Sequence, residues 1–346
     1  RRAPARPLRG GETMTGHQAI GPSGQQMRAS RVLVIGGLGF IGINLTSKLV
    51  DSGARVTVLT PSRAKHAEDA SVLERKGVEV VEGDLRDQAL LAQLVAAKEC
   101  IFNLSGQSGA VRSMEDPWTD LDVNLRGNLV LLEALREHNR GAKVVFAGSR
   151  LQYGHPDQLP VKEEAEKHPL CLHAIHKQAV EQYLELYSRL FGIRYSIARI
   201  TNPYGPGQPR SRTAYGVINR MIHQAIADRP LTIYGDGAQQ RDYVHVDDVV
   251  DALMLLAASP KADGRAYNVA SGTGISLIDL AKTIIAIAGA GRIEHVEWPE
   301  LAKQIETGDF VADLSRIHSE LGWQPRIPLR AGLEKTVSFY RTAAVP

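Results

Sequence analysis

Two residues that could carry out acid–base chemistry, His173 and Lys177, stand four positions apart in the sequence. The apolar pattern around them predicts an amphipathic helix that reaches Phe191 and ends at Gly192. Because residues four apart share a helix face, an imidazole ring and an ammonium group should project together. Histidine has an ordinary pKa of about 6.5, and a neighbouring lysine charge disfavours its protonated form. We therefore expect a general base at His173.

A glycine-rich loop near the start of the chain is the first element that could bring a ligand to this pair. Arg31 to Ile35 predicts a strand, GGLGFIG follows it from Gly36 to Gly42, and the next residues predict a helix. Glycines let the backbone approach a pyrophosphate, and a helix N-terminus offers that anion free N–H groups and a positive dipole end. A tight turn without a ligand is the alternative. The predicted dinucleotide contacts in this loop are Gly36, Gly39, Phe40, Ile41 and Gly42.

The end of the second predicted strand bears on which nicotinamide dinucleotide is bound. Thr60-Pro61-Ser62-Arg63 stands where such sites commonly place an acid that binds the adenosine ribose. Without that carboxylate a 2′-phosphate is not repelled, and Ser62 and Arg63 could bind one. A solvated loop arginine is the alternative. NAD and NADP both stay open as the cofactor.

Two later turns could complete the dinucleotide site. Gly83-Asp84-Leu85 follows the third predicted strand, and its carboxylate could accept a hydrogen bond from the adenine amino group. Leu104-Ser105-Gly106-Gln107 follows a buried strand as a turn of small residues that could pass beneath the cofactor. The expected contacts in these turns are Asp84, Leu85, Leu104, Ser105 and Gln107.

The order of the predicted elements indicates the fold. Strands and helices alternate regularly over the first half, which implies a parallel sheet covered on both faces with ligands at the carboxyl ends of its strands. After about residue 200 the alternation loosens. We therefore predict an α/β, Rossmann-type doubly wound parallel sheet with a smaller C-terminal α+β substrate lobe. Residues 1–28 are expected to be a disordered leader, 29–200 the dinucleotide-binding domain, and 201–346 mainly the substrate lobe, with some return of the chain to the first domain.

Composition excludes several classes of function. A net charge of +3 over 346 residues predicts neither nucleic-acid binding nor membrane attachment. The two cysteines, Cys100 and Cys171, are too few for a disulfide framework, and no apolar run is long enough to span a bilayer. The leader also lacks the apolar core of a signal peptide. A cytoplasmic protein is expected. The three tryptophans, Trp118, Trp298 and Trp323, are expected to pack in the protein interior.

Motifs in a fixed order extend over residues 31–342. They are GGLGFIG at Gly36, GDL at Gly83, NLSGQ at Asn103, FAGSRLQYG at Phe146, the helix with Lys177, RITNPYGPGQ at Arg199, LTIYGDGAQQRDYVHVDDVV at Leu231 and LGWQP at Leu321. In this order they resemble the extended short-chain dehydrogenase/reductases of the NAD-dependent epimerase/dehydratase type. The resemblance implies an NAD(P)-dependent nucleotide-sugar epimerase that transiently oxidises a sugar carbinol.

The resemblance also implies roles for individual residues. The three loop glycines would bind the pyrophosphate, Asp84 and Leu85 the adenine, and Lys177 the nicotinamide ribose. Ser149 would hydrogen-bond the hydroxyl that is oxidised. Substrate contacts would come from Ser149, Arg150, Asn202, Tyr215 and Arg241, the last being an arginine suited to a diphosphate. The family further implies a homodimer formed through the helices Leu121 to His138 and Ala174 to Phe191.

Three departures from the family pattern qualify these roles. His173 stands where the family has the tyrosine of Tyr-x-x-x-Lys. Arg150 and Leu151 follow Ser149, where a dehydratase would carry Asp-Glu. Glu306 replaces an arginine that usually precedes a Gly-Asp pair. Imidazole is shorter than phenol, so His173 would stop short of the reacting hydroxyl. A water, Ser149 or Tyr153 is expected to bridge that gap.

Two other functions remain open. One is a reductase, dehydratase or decarboxylase acting on a related sugar nucleotide, and the other is a dinucleotide-binding protein without catalysis. A metal site formed by His168, Cys171, His173 and His176 is not expected, because no second ligand cluster accompanies these residues.

Overall fold

The computed structural model of the protein describes residues 27–208 and 216–342. The strands in this part of the chain are β1 (Arg31–Ile35), β2 (Arg55–Thr60), β3 (Glu79–Glu82), β4 (Cys100–Asn103), β5 (Lys143–Ser149), β6 (Arg194–Ile200), β7 (Asn202–Tyr204), β8 (Pro230–Tyr234), β9 (Gln240–His245), β10 (Arg265–Val269), β11 (Gly274–Ser276) and β12 (Arg292–Val296).

The α-helices described are α1 (Phe40–Asp51), α2 (Ala67–Arg75), α3 (Gln88–Val95), α4 (Ala110–Glu115), α5 (Pro117–Leu121), α6 (Gly127–His138), α7 (Leu172–Phe191), α8 (Val217–Ile226), α9 (Val246–Ala258), α10 (Leu277–Ala288), α11 (Glu300–Gln304), α12 (Ser315–Leu321) and α13 (Leu329–Thr342). None of them is both long and apolar enough to cross a membrane.

A seven-stranded parallel sheet forms the centre of the molecule, in the order β10-β6-β5-β4-β1-β2-β3. Its central strands are short apolar runs because both faces are covered. Val32 and Val34 point into one core with α1 and α9, while Leu33 and Ile35 point into the other with α3, α6 and α7. The predicted doubly wound Rossmann-type fold is confirmed, and the change of direction beside β1 opens a crevice at the strands' carboxyl ends.

The C-terminal half contributes smaller sheets and also returns to the central one. A three-stranded sheet, β11-β9-β7, and a two-stranded sheet, β12-β8, pack with α8, α10 and α13 around a third core. The edge strand β10 instead pairs with β6 in the central sheet. Described segments after residue 201, among them β10, α9 and α12, thus contribute to the core on one face of the central sheet.

Three local expectations need comment. Most of the expected leader lies outside the described residues, whereas Met27 is buried in the core. The helix predicted from Leu121 to His138 is present without a break, with a π-helical segment at Asp122–Arg126 between α5 and α6, and it begins earlier, at Pro117. Trp118 is 77% exposed, so its assignment to packing is wrong, while Trp323 is buried and Trp298 contacts Tyr234.

Candidate active site

The glycine loop between β1 and α1 forms one wall of a cavity of about 550 Å³. Gly36 has a φ of +80°, and a Cβ on Gly42 would lie 2.2 Å from the carbonyl oxygen of Gly36. Helix α1 begins after Gly39 without a side-chain cap, so no side chain occupies the N–H groups of its first turn. A tightly wound loop with open N–H groups at a cavity wall suits the pyrophosphate of a dinucleotide.

The cavity brings together most of the expected dinucleotide contacts. It is lined by residues at the ends of β1 to β4 and by eight residues of the described C-terminal half, whereas His173, Lys177 and Ser149 are not among its lining. The expected residues found among its lining are Gly36, Gly39, Phe40, Ile41, Gly42, Asp84, Leu85, Leu104, Ser105 and Asn202.

Arg63 lies away from this lining and is engaged elsewhere. Its Nε and Nη2 atoms donate to the two carboxylate oxygens of Glu74 at 3.0 and 2.8 Å, and the pair lowers the pKa of Glu74. The adenosine end of the cavity is instead lined by Ser62, Lys65 and His66. A 2′-phosphate would therefore meet these residues before it met the guanidinium of Arg63.

Asp84 lines the cavity, but its carboxylate already has a partner. Arg86 donates to its two oxygens at 2.9 and 2.6 Å, which lowers the pKa of Asp84, and a third guanidinium nitrogen reaches Asp122 at 2.9 Å. The carboxylate is thus held as an anion by Arg86. An adenine amino group would have to share it with that arginine.

Lys177 is buried on α7 and points toward the loop after β4. Its ammonium group donates to the carbonyl oxygens of Ala147 at 3.0 Å and Ser105 at 3.4 Å, and it lies 4.7 Å from the ring centroid of Phe146. Burial lowers the pKa of Lys177 to about 8. The side chain is therefore a fixed cation up to mildly alkaline pH, held where the loop passes beneath the cavity.

His173 lies one helical turn before Lys177, as its spacing predicts. Its Nδ1 atom is 2.9 Å from the carbonyl oxygen of Gln107, which also accepts a hydrogen bond from the Asn124 amide at 3.0 Å. The Asn124 amide nitrogen also lies 3.3 Å from Nδ1. Because a carbonyl can only accept, we assign the ring proton to Nδ1, which leaves Nε2 as the acceptor. Burial, followed by the charge of Lys177, lowers the pKa of His173 to about 4. The ring is neutral at physiological pH.

Gln107 therefore contributes its backbone carbonyl, which contacts the His173 ring, and not its side chain. Its side-chain amide points away and donates to the carbonyl oxygens of Arg112 and Asp116 at 3.5 and 3.3 Å, and the residue does not line the cavity. Its neighbours Ser105 and Gly106 do line the cavity. The loop thus links the cavity to both titratable groups of α7.

A buried carboxylate behind His173 was missed in the sequence. Asp120 on α5 has no exposed surface, and one of its oxygens lies 2.7 Å from Nδ1 of His176. Its other oxygen makes no hydrogen bond within the described chain and lies 3.9 Å from Nδ1 of His173. The i, i+3 spacing of the two histidines places both on the α5 side of α7, but nothing in the sequence indicates which acid they meet.

Ser149 ends β5 and shapes the turn after it. Its Oγ accepts a hydrogen bond from the Leu151 N–H at 3.2 Å and caps the short 3₁₀ turn Arg150–Tyr153. The hydroxyl proton remains available to a ligand. Tyr153 cannot take the bridging role suggested for it, because its buried hydroxyl is bound to Asn268 at 2.8 Å and Arg199 at 2.9 Å.

The expected substrate residues lie on three segments. Asn202 donates to the Asp242 carbonyl at 2.8 Å, and Arg241 is bound to the carboxylate of Glu306 and to the Gly308 carbonyl at 2.5 Å. Arg150 is buried and donates to Oγ1 of Thr307 at 2.9 Å. Tyr215 lies outside the described residues.

The cysteines and the histidine-rich segment show no ligand cluster. Cys100 and Cys171 are free and buried, and burial raises the pKa of both thiols. His168 lies near the surface beside Glu166. Within residues 27–208 and 216–342, no three side chains are grouped as metal ligands.

Known proteins share both the sequence and the fold. The family model described as "NAD dependent epimerase/dehydratase family" matches residues 32–270. A UDP-glucose 4-epimerase of Mycolicibacterium smegmatis is 35% identical over 90% of this chain and 98% of its own. The Thermotoga maritima UDP-glucose 4-epimerase solved with UDP-glucose superposes with a TM-score of 0.83 at 29% identity, covering 90% of this chain and 99% of its own.

A dehydratase is similar as well. The structure of dTDP-glucose 4,6-dehydratase from Streptomyces venezuelae, solved with NAD bound, has a TM-score of 0.82 at 26% identity. It covers 90% of this chain and 97% of the dehydratase. Both reaction types thus occur among proteins of this architecture.

Proposed function

Because the chain belongs to the NAD-dependent epimerase/dehydratase family, we propose that it is a nucleotide-sugar epimerase that works by transient oxidation of a sugar carbinol, with His173 as the general base. The observation that carries the proposal is the 2.9 Å contact between Nδ1 of the His173 ring and the Gln107 carbonyl oxygen. Because that carbonyl can only accept, the ring proton is assigned to Nδ1, which leaves Nε2 as the acceptor for a substrate proton.

NAD or NADP fits the cavity whose wall includes Ser105 and Gly106, in the loop that binds His173 and Lys177. The open N–H groups at the start of α1 would hold the pyrophosphate, with the residues at the ends of β2 and β3 around the adenosine. When bound, the nicotinamide supplies the oxidising and reducing chemistry that the side chains of this site lack. The chain's own residues then have to bind, orient and move protons.

The residues of α7 and β5 divide these tasks. Lys177 anchors the ribose next to the nicotinamide, and its positive charge favours the neutral form of His173. Ser149 hydrogen-bonds the reacting hydroxyl and, directly or through a water, passes its proton toward Nε2. On the return step the protonated ring gives the proton back, so the ring must become an imidazolium beside Lys177.

Asp120 stabilises that imidazolium in a buried site. Its unbonded oxygen faces the His173 ring and raises the pKa that burial and Lys177 lower. The carboxylate touches neither cofactor nor substrate, so we assign it as a positioning residue. It keeps the ring basic enough to take a proton.

Replacement of Asp120 by Asn is expected to lower kcat/KM about tenfold on its plateau, because His173 becomes a weaker base. The acid limb of the profile, which reports loss of neutral His173 as the pH falls, should move to lower pH. The measurement is kcat/KM against pH, with His176→Gln as the control that keeps the carboxylate. A rate loss with an unmoved acid limb would mean that Asp120 only supports the local packing.

Epimerisation is favoured over dehydration by the residues after Ser149. A buried arginine and Leu151 occupy the positions where a dehydratase would place its acid pair. Neither side chain can donate a proton to a leaving hydroxyl at neutral pH, because Arg150 remains a cation and Leu151 has no titratable group. The site retains a base but lacks that acid.

The test of the function is turnover without added cofactor. The purified chain should carry bound dinucleotide and interconvert two epimers of a sugar nucleotide when none is supplied. Stoichiometric consumption of NADPH would indicate a net reductase instead. Normal binding of dinucleotide and sugar nucleotide without any turnover would indicate the non-catalytic alternative.

We also propose a homodimer formed through α6 and α7. Several apolar side chains on these helices are exposed, namely Leu129, Ile175, Leu186 and Leu190. Ile175, Leu186 and Leu190 lie 11 and 4 residues apart on α7 and so share one helix face, and an exposed apolar face is one that another chain can cover. The solution mass should be twice 37.7 kDa, and Leu190→Glu should reduce it. A monomer mass that does not change with concentration would exclude this dimer.

A further inference from the structure

Arg150 carries a buried positive charge that no described carboxylate neutralises. The residue is 7% exposed, and its guanidinium lies over the ring of Phe310 with 5.1 Å from Cζ to the ring centroid. Its Nη1 donates to Thr307, but the edge formed by Nε and Nη2 makes no hydrogen bond in the described part of the chain. Such an edge matches the two oxygens of a carboxylate or phosphate.

None of the neighbouring carboxylates forms an ion pair with Arg150 in the described part of the chain. Arg241 is close enough to lower the pKa of Arg150, together with burial, to about 10. The nearby carboxylate of Glu306 is bound to Arg241 rather than to Arg150. The Asp242 carboxylate is also near Arg150, but it accepts hydrogen bonds from the N–H groups of Ser271, Gly272 and Ala312, so neither carboxylate is bonded to the Arg150 guanidinium. A buried cation in this state is unfavourable unless an anion joins it, since charges removed from water need a partner.

Arg150 does not itself line the cavity, but it lies next to a part of the cavity wall. The residue directly follows Ser149 at the carboxyl end of β5. Its electrostatic neighbours include Tyr243 of β9, and Tyr243 lines the cavity. Dinucleotide contacts lie on the other side, at the ends of β1 to β4.

We propose that Arg150 binds an anionic oxygen group of the substrate, either a carboxylate on the sugar or a phosphate of the nucleotide. This inference rests on the proposed function, because it assumes a nucleotide-linked sugar in the cavity. The anion would complete a charge cluster in which Glu306 already balances Arg241. Arg150 thereby selects for substrates that carry a negative charge beside the reacting carbon or close to it.

Binding measurements separate the two sources of the anion. The probes are UDP, UDP-glucose and UDP-glucuronic acid, titrated by calorimetry into the dinucleotide-loaded wild type, Arg150→Met and the control Arg330→Met. Arg330 is a surface arginine paired with Glu334. Methionine keeps the length and apolar contacts of the side chain but removes its charge.

Arg150→Met should weaken at least one probe about 10- to 100-fold, the range of a lost charge-assisted pair. A loss confined to UDP-glucuronic acid identifies the sugar carboxylate, and a similar loss for all three probes identifies the diphosphate. Arg330→Met should bind like the wild type. The melting temperature of Arg150→Met without substrate should equal or exceed that of the wild type, because an unneutralised buried charge is gone.

Two outcomes would overturn the inference. One is unchanged affinity of Arg150→Met for all three probes. The other is a large fall in its melting temperature, which would make Arg150 a structural residue. Failure of the proposed function is distinguishable, because it would appear as absence of epimer interconversion by a wild-type chain that still binds the probes through Arg150. A wild type that binds none of the probes would remove both proposals.

Discussion

Replacement of His173 by Phe is expected to lower turnover at least about 100-fold while leaving dinucleotide affinity nearly unchanged. Phenylalanine fills the space of the ring but has no lone pair for the substrate proton. The cavity wall should stay largely in place, because the Gln107 carbonyl loses the bond to the imidazole but keeps the hydrogen bond from the Asn124 amide. The measurements are the epimerisation rate and the dissociation constant of the dinucleotide.

The matched control for this variant is His168→Phe, a histidine near the surface just before the same helix. It should leave both measurements unchanged. An unchanged rate in His173→Phe would show that another group is the base. A parallel loss of dinucleotide affinity would show instead that the ring supports the cofactor loop through Gln107 and that the rate effect is indirect.

Replacement of Lys177 by Met is expected to lower both turnover and dinucleotide affinity, with turnover falling roughly 100-fold or more. The ammonium group is the only charged donor that the carbonyl oxygens of Ala147 and Ser105 share in the described structure, and it points to the place proposed for the ribose. Methionine preserves the packing of the stem without any donor. Dinucleotide titration and steady-state rates measure the two effects separately.

The same lysine predicts an alkaline limit to activity. Its pKa is lowered to about 8, so the ammonium form is present below that pH and is lost as the pH rises through it. In the wild type kcat/KM should fall above pH 8, and in Lys177→Met the remaining activity should lack this limb. Lys282→Met, at an exposed lysine, serves as the control. A limb that persists in Lys177→Met would assign the titration to another group.

The sequence predicted the parts of the site that follow from local spacing. His173 and Lys177 share a face because they are four apart on one helix, and the glycine loop indicates a phosphate site because it lies between a strand and a helix. The doubly wound sheet follows from the alternation of elements. Each of these predictions depends on residues close together in the chain.

The parts that sequence reasoning missed depend on contacts between distant segments. Asp120 reaches the two histidines only because α5 packs on α7, and the partner of Arg63 is a glutamate on the next helix. Arg241 was expected to be available to a substrate phosphate, but its guanidinium is bound to the carboxylate of Glu306. Tertiary packing decides which charged side chains form ion pairs, and this packing cannot be predicted from the spacing of residues in a single sequence.

The loop after β4 has a consequence for how this site tolerates mutation over evolutionary time. It holds Lys177 through the carbonyl of Ser105 and His173 through the carbonyl of Gln107, so both acceptors belong to the main chain. Substitution of those two side chains therefore removes neither acceptor directly, while the Gln107 amide helps to hold the loop by donating to the carbonyl oxygens of Arg112 and Asp116. The vulnerable position is Gly106 between them, with a φ of +156° and a would-be Cβ 2.5 Å from the Asn124 amide oxygen. The alignment of His173 and Lys177 therefore depends on a glycine at position 106, because a larger residue there would displace the loop.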